Sequence, residues 1–132
     1  MTQAFIVGAL RTPVGRRKGA LAGVHPADLA GHVLAGLVES TGVDPAAVDD
    51  VILGCVGQVG AQSFNIARTA VLSAGLPESV PGTTIDRQCG SSQQAVHFAS
   101  QAIRSGDQDI VIAGGIEVMS LVTMGSSASL GV

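Results

Sequence analysis

The chain has 132 residues and a mass of 13.1 kDa, enough for one small domain around one core. A hydrophobic fraction of 46% argues against a disordered chain, and a net charge of -3 gives no electrostatic case for general nucleic-acid binding. Aromatic residues make up only 2%, with no Trp or Tyr, and there are 18 glycines. The core must therefore be built from Ala, Val, Leu and Ile at close backbone approach, which suits helices pressed on a parallel sheet.

In chain order, Ala4 to Leu10 (AFIVGAL) reads as a short buried strand, followed by turn residues Arg11, Thr12, Pro13 and Gly15. No secretory signal is visible in Met1 to Leu10, which lacks a basic start and a cleavage site. The cluster Arg16-Arg17-Lys18, between Gly15 and Gly19, reads first as a solvated loop; the sharper alternative is a contact to a phosphate-bearing ligand or a neighbouring subunit. Pro26 and Asp28 open a helix on which Leu29, Val33, Leu37 and Val38 share a face, and Gly42 stops it. Asp44-Pro45 begins a further turn or short helix, and Val51 to Val56 (VILGCV) is a second strand.

Asn65 is placed to cap a helix from Ile66 to Ala74, with Gly75 and Pro77 ending it. Thr83 to Ile85 is the approach of a third strand. A helix from about Gly90 to Arg104 follows, with Val96, Ala99 and Ile103 on one stripe and Gly106 as its stop. Ile110 to Ala113 is a fourth strand leading into Gly114-Gly115. Strands alternating with helices predict an α/β fold, a mostly parallel sheet with right-handed crossovers. Residues 1–119 read as one partial domain (βαβαβαβ), and residues 120–132 as the start of an excursion away from it. No apolar run reaches the roughly 20 residues needed to span a bilayer. The expected setting is soluble, cytoplasmic and reducing, with no membrane or nucleic-acid partner and both cysteines free.

The two cysteines, Cys55 and Cys89, form no metal-ligand or redox motif, so no metal site is expected. Cys89 stands where a strand gives way to a helix. A helix amino terminus presents unpaired N–H groups and a partial positive charge, which favour the thiolate and can donate to an oxyanion. Gly90, Ser91 and Ser92 leave room for an acyl group to approach. The plain alternative is that Cys89 is a small buried hydrophobe. A nucleophilic Cys also needs a base, and neither His25 nor His32 has an evident claim to that role. His97 lies eight residues along the same helix, about 12 Å by helix rise. The base is not in this chain.

The segment TIDRQCGSSQQAV, Thr84 to Val96, resembles the acyl-enzyme motif of the thiolase family, in which the Cys opens a central helix. RTPVGRRKGAL (Arg11 to Leu21), GCVGQVGAQSFNIARTAVLSAGLP (Gly54 to Pro77) and AGGIEVMS (Ala113 to Ser120) are similar to further thiolase segments in the same order. Asp86, Val118 and Thr123 depart from the residues usual there, and an ionised Asp86 close to Cys89 would oppose the helix terminus.

The resemblance implies the amino-terminal half of a thiolase-like fold, truncated before its last strand. It implies acyl transfer between Cys89 and coenzyme A, as thiolytic cleavage of a 3-ketoacyl-CoA or the reverse Claisen condensation. Coenzyme A and acyl-CoA are then substrates, with no permanently bound cofactor, and the full-length protein is expected to be a homo-oligomer. The His and second Cys that complete such a site belong to a second half-domain, so the bare chain is expected to be inactive. No cofactor-binding residue is assigned. The alternatives are a ketosynthase-like condensing enzyme, against which Arg87-Gln88-Cys89 and Gly114-Gly115-Ile116-Glu117 speak, and a non-catalytic thiolase-like scaffold.

Overall fold

The computed structural model describes residues 3–129. Helix α1, Pro26–Thr41, starts and stops where the sequence marks it. Pro26 at its first turn needs no N–H partner, the His25 ring accepts from Ala27 N at 3.2 Å, and Gly42 closes it at φ 69° by donating to the Val38 carbonyl. A single 3-10 turn at Pro45–Ala47 leads into strand β1, Asp50–Gly54. Helix α2, Ile66–Ser73, is capped by Asn65, and the chain turns away at Gly75 with φ 73°. Strand β2 (Gly82–Ile85), helix α3 (Ser91–Ser105) and strand β3 (Val111–Gly115) follow, and α4, Ser126–Ser129, is one turn.

The three strands form a parallel sheet in the order β2-β1-β3. Side chains alternate across a strand, so β1 serves two faces. Val51 and Leu53, with Cys55 beyond them, join Ile66, Ala67, Ala70 and Val71 of α2 and Ala30 and Leu34 of α1 in the main core. Gly54 meets α3 on the opposite side. The central strand is thereby buried on both faces, as the continuous apolar run VILG requires. Asn65 ties α2 to the sheet: its Nδ2 donates to the Gly82 carbonyl at 2.6 Å, while Oδ1 accepts from Thr84 Oγ1 at 2.7 Å and from Arg68 N at 3.2 Å.

Two expectations are corrected. Residues 4–10 form no strand, and Phe5 and Val7 are 73% and 86% exposed rather than buried. The apolar run has the right composition, but a strand exists only by pairing. Residues 4–10 and β3 instead both line one cleft of about 1530 Å³. The sheet therefore has three strands where four were expected.

The second correction concerns α3, whose core face is Ser91, Ala95 and Ala99, with Gln94 buried beside them. Val96 and Ile103 of the expected stripe line the cleft, and Val96 and Phe98 remain exposed. Small side chains face the sheet because α3 lies close to it, which displaces the larger ones outward. At the far end, Val122 is buried and packs near Gly57.

Candidate active site

Residues 86–91 form a short bridge from β2 to α3, held by bonds that converge on its backbone. Asp86 Oδ1 accepts from Gln88 N at 2.7 Å, which supports Gln88 in the left-handed region at φ 49°. Ser91 Oγ accepts from Arg87 N at 2.8 Å and donates to the Gln88 carbonyl at 2.6 Å. The Arg87 guanidinium donates to Gln94 Oε1 one turn into α3. A non-glycine residue with positive φ costs free energy, of order 1 kcal/mol, and persists where its surroundings over-determine it. Here they do, and the residue it presents next is Cys89.

Cys89 is exposed. That removes the reading of it as a buried hydrophobe, which describes Cys55 instead. It stands immediately before Gly90, the N-cap of α3, and Gly90 has no side chain with which to cap. The contrast with α1 and α2, capped by His25 and Asn65, is informative. At α3 no side chain caps the first turn; Ser91 N is taken by the Gln88 carbonyl at 3.1 Å, which leaves Ser92 N and Gln93 N without a hydrogen-bond partner among the described residues. Such groups can donate to the oxygen of an acyl carbonyl under attack. Asp86, the residue that would oppose this field, directs its carboxylate to the turn through Gln88 N and, at 3.4 Å, Gln88 Nε2.

Cys55 is enclosed. Gln62 Nε2 donates to its sulfur at 3.3 Å, to the Gly57 carbonyl at 2.9 Å and to Glu117 Oε1 at 2.7 Å, and Gln62 Oε1 accepts from Val118 N at 2.7 Å. Glu117 also accepts from Val56 N at 2.8 Å and Gly57 N at 3.1 Å. Burial first, then the negative charges of Glu117 and Asp86, push the Cys55 thiol up from 9.0 to about 12. It is an inert thiol.

The Glu117–Gln62 clamp was not foreseen. The available signal was an acidic residue directly after an apolar strand, which needs several donors to be tolerated there. None of the histidines is hydrogen-bonded to Cys89 among the described residues: His25 caps α1, and His32 and His97 are exposed. Arg16, Arg17 and Lys18 are exposed and line the same cleft as residues 4–10. No group of three or more His, Cys, Asp or Glu among the described residues could hold a metal ion.

An exposed thiol ahead of a helix terminus without a side-chain cap, on an α/β domain, is an arrangement in which a Cys can serve as a nucleophile. The chain belongs to the thiolase family: the family model for the thiolase N-terminal domain matches residues 4–130. It is 55% identical to the steroid 3-ketoacyl-CoA thiolase FadA6 of Mycobacterium tuberculosis over 131 residues, 99% of this chain and 32% of that protein. It is 53% identical to a beta-ketoadipyl-CoA thiolase of Escherichia coli over 91% of this chain and 30% of that one. The crystal structure of the Bacillus anthracis acetyl-CoA acetyltransferase superposes with a TM-score of 0.86 at 46% identity, covering 91% of this chain and 30% of that chain. The chain thus spans about a third of the length of these relatives.

Proposed function

We propose that the protein containing this chain is a thiolase in which Cys89 accepts the acyl group. The observation that carries the reading is the exposed Cys89 at the α3 terminus, in a chain that matches the thiolase N-terminal domain over nearly its whole length. In the degradative direction the Cys89 thiolate attacks the keto carbon of a 3-ketoacyl-CoA. The bond between that carbon and its α-carbon breaks, the departing acetyl-CoA carbanion takes a proton, and the shortened acyl group remains on sulfur. The thiol of a second coenzyme A, losing its proton, attacks the thioester and frees Cys89. The reverse sequence is the Claisen condensation. The groups that move these protons lie outside this chain. Coenzyme A and acyl-CoA are substrates in this scheme and no resident cofactor is required.

The same reading covers the architecture. Residues 1–119 would form part of a domain whose remaining strand covers the free edge of β3, and residues 120–132 would begin an excursion from it; residues 1–2 and 130–132 of these ranges lie outside the described residues. The exposed apolar residues 5–7 and Phe64, 97% exposed, would be covered by the rest of the protein or by a second copy in a homo-oligomer. A cytoplasmic location fits the free thiols; no helix among the described residues is long and apolar enough to cross a membrane.

The test is intact-mass and peptide-mass analysis of the full-length protein before and after acetoacetyl-CoA. An acetyl increment on the Cys89 peptide is expected, absent from Cys89→Ser. Unchanged acyl transfer by Cys89→Ser would instead show that Cys89 is not the nucleophile.

A further inference from the structure

Helix α3 rests on two glycines. Gly54 is the last residue of β1 and Gly115 the last of β3, and the register sets them side by side. A Cβ on Gly54 would lie 2.5 Å from the Ser91 carbonyl carbon and 2.5 Å from Ser92 N. A Cβ on Gly115 would lie 1.9 Å from Ser92 Oγ. Side chains do not tolerate such distances: a methyl group on Gly54 meets backbone atoms and must push the first turn of α3 off the sheet, whereas one on Gly115 forces the Ser92 hydroxyl, or the turn that carries it, to move. That turn carries Cys89.

We propose that Gly54 and Gly115 are positioning residues for Cys89: they form a floor without side chains that sets how deeply the α3 terminus sits. The floor fixes the thiol and the adjacent N–H groups relative to each other and to the Asp86–Ser91 bridge. The inference rests on Cys89 as the acyl acceptor. Acyl transfer is sensitive to such placement, because displacement of about 1 Å at a reacting centre can cost on the order of a hundredfold in rate.

The two halves of the floor fail differently. Gly54 meets backbone atoms, which have nowhere to go. Gly115 meets chiefly one side-chain oxygen; the next contacts are the Gly54 carbonyl oxygen at 3.0 Å and Ser92 Cβ at 3.2 Å. Ser92→Ala removes the severe overlap and leaves contacts that small shifts can relieve. Helix α2 supplies a control, since a Cβ on Gly82 would lie 2.7 Å from Arg68 N under a helix that carries no thiol nucleophile.

The experiment uses full-length Gly115→Ala, Ser92→Ala, the double variant and Gly82→Ala. It measures the rate at which iodoacetamide alkylates Cys89 across pH, read on the Cys89 peptide of folded protein, and kcat and KM with acetoacetyl-CoA. Gly115→Ala is expected to slow alkylation and lower kcat by about tenfold or more, with little change in KM. The double variant is expected to return to the Ser92→Ala rate, and Gly82→Ala to lose stability without changing Cys89 alkylation. A folded Gly115→Ala with wild-type Cys89 kinetics overturns the proposal, as does a Gly82→Ala that slows Cys89 equally. If Gly115→Ala does not fold, the double variant decides: recovery of the Ser92→Ala rate supports the floor, and a slow or unfolded double variant overturns it. Absence of acylation at Cys89 in the wild type would remove the proposed function, yet leave the alkylation comparison readable.

Discussion

Cys55 and Cys89 both follow the end of a strand, and their surroundings make them different chemical groups. Cys55 closes over the core side of β1, wrapped by Gln62, Gly57 and Glu117, with its thiol held protonated. Cys89 leaves β2 through a turn whose bonds satisfy its neighbours and leave its own side chain exposed. One strand end is followed by a carboxylate clamp, the other by a helix terminus without a side-chain cap. The two sulfurs thus differ in exposure and in the N–H groups and charges around them, the features on which a thiol's reactivity depends.

The comparison breaks first at the nucleophile. Cys89→Ala in the full-length protein is expected to lower acyl transfer by at least about a thousandfold, because no other group in this chain is placed to take its role. Cys55→Ala is expected to keep turnover near wild type while lowering stability by about 1–2 kcal/mol. Comparable losses of turnover in the two variants would mean that the inert thiol has been misread.

The clamp comes next. Gln62 is fully buried, and Gln62→Leu would strand Val118 N and the Gly57 carbonyl and remove a donor from Glu117. A loss of about 2–4 kcal/mol is expected from the urea midpoint, together with new alkylation of Cys55 in otherwise native protein. Retained protection of Cys55 would show that packing alone, without the polar clamp, keeps that thiol inert.

Alkali sharpens the contrast. The folded-state value of Cys55 lies above its ordinary one, so its contribution to stability is complete below pH 9.0 and is lost progressively as pH rises toward about 12. In that interval the unfolded chain ionises while the folded thiol does not. Denaturation midpoints are expected to fall there more steeply for wild type than for Cys55→Ala. Parallel curves would remove burial of Cys55 as the cause.

The helix boundaries were legible because each is marked by a local cause: Pro26 and Gly42 for α1, Asn65 and Gly75 for α2, Gly106 for α3. The position of Cys89 between a strand and a helix was legible too, since a strand approach, a glycine N-cap and small residues lie within a few positions of it. What was missed depends on residues distant in sequence. Glu117 meets Val56 and Gln62 only after the sheet has assembled. Residues 4–10 carry strand composition, but pairing needs an edge that composition cannot supply. The stripe of α3 was misread because close approach at Gly54 and Gly115 favours Ser91, Ala95 and Ala99 toward the sheet over Val96 and Ile103.

The smallest effect is expected at the opposite end of the sheet from both thiols. Asp49 Oδ2 accepts from Asp109 N at 2.7 Å and Ile110 N at 3.0 Å, joining the entry of β1 to the turn before β3. These N–H groups, Ile110 first, hold its carboxyl below the ordinary 3.8. The charged form is the one bound, so its stabilisation is present above pH 3.8 and fades as pH falls through the lower folded-state value. Asp49→Asn is therefore expected to lower the denaturation midpoint slightly near neutrality and to converge with wild type in strong acid. Asp49 is exposed, so solvent screening keeps the difference small. Alkylation of Cys89 should be unaffected by this change. If it slowed, the height of α3 would depend on the whole length of β1 and β3, and the separation between a reactive end of the sheet and an inert one would no longer hold.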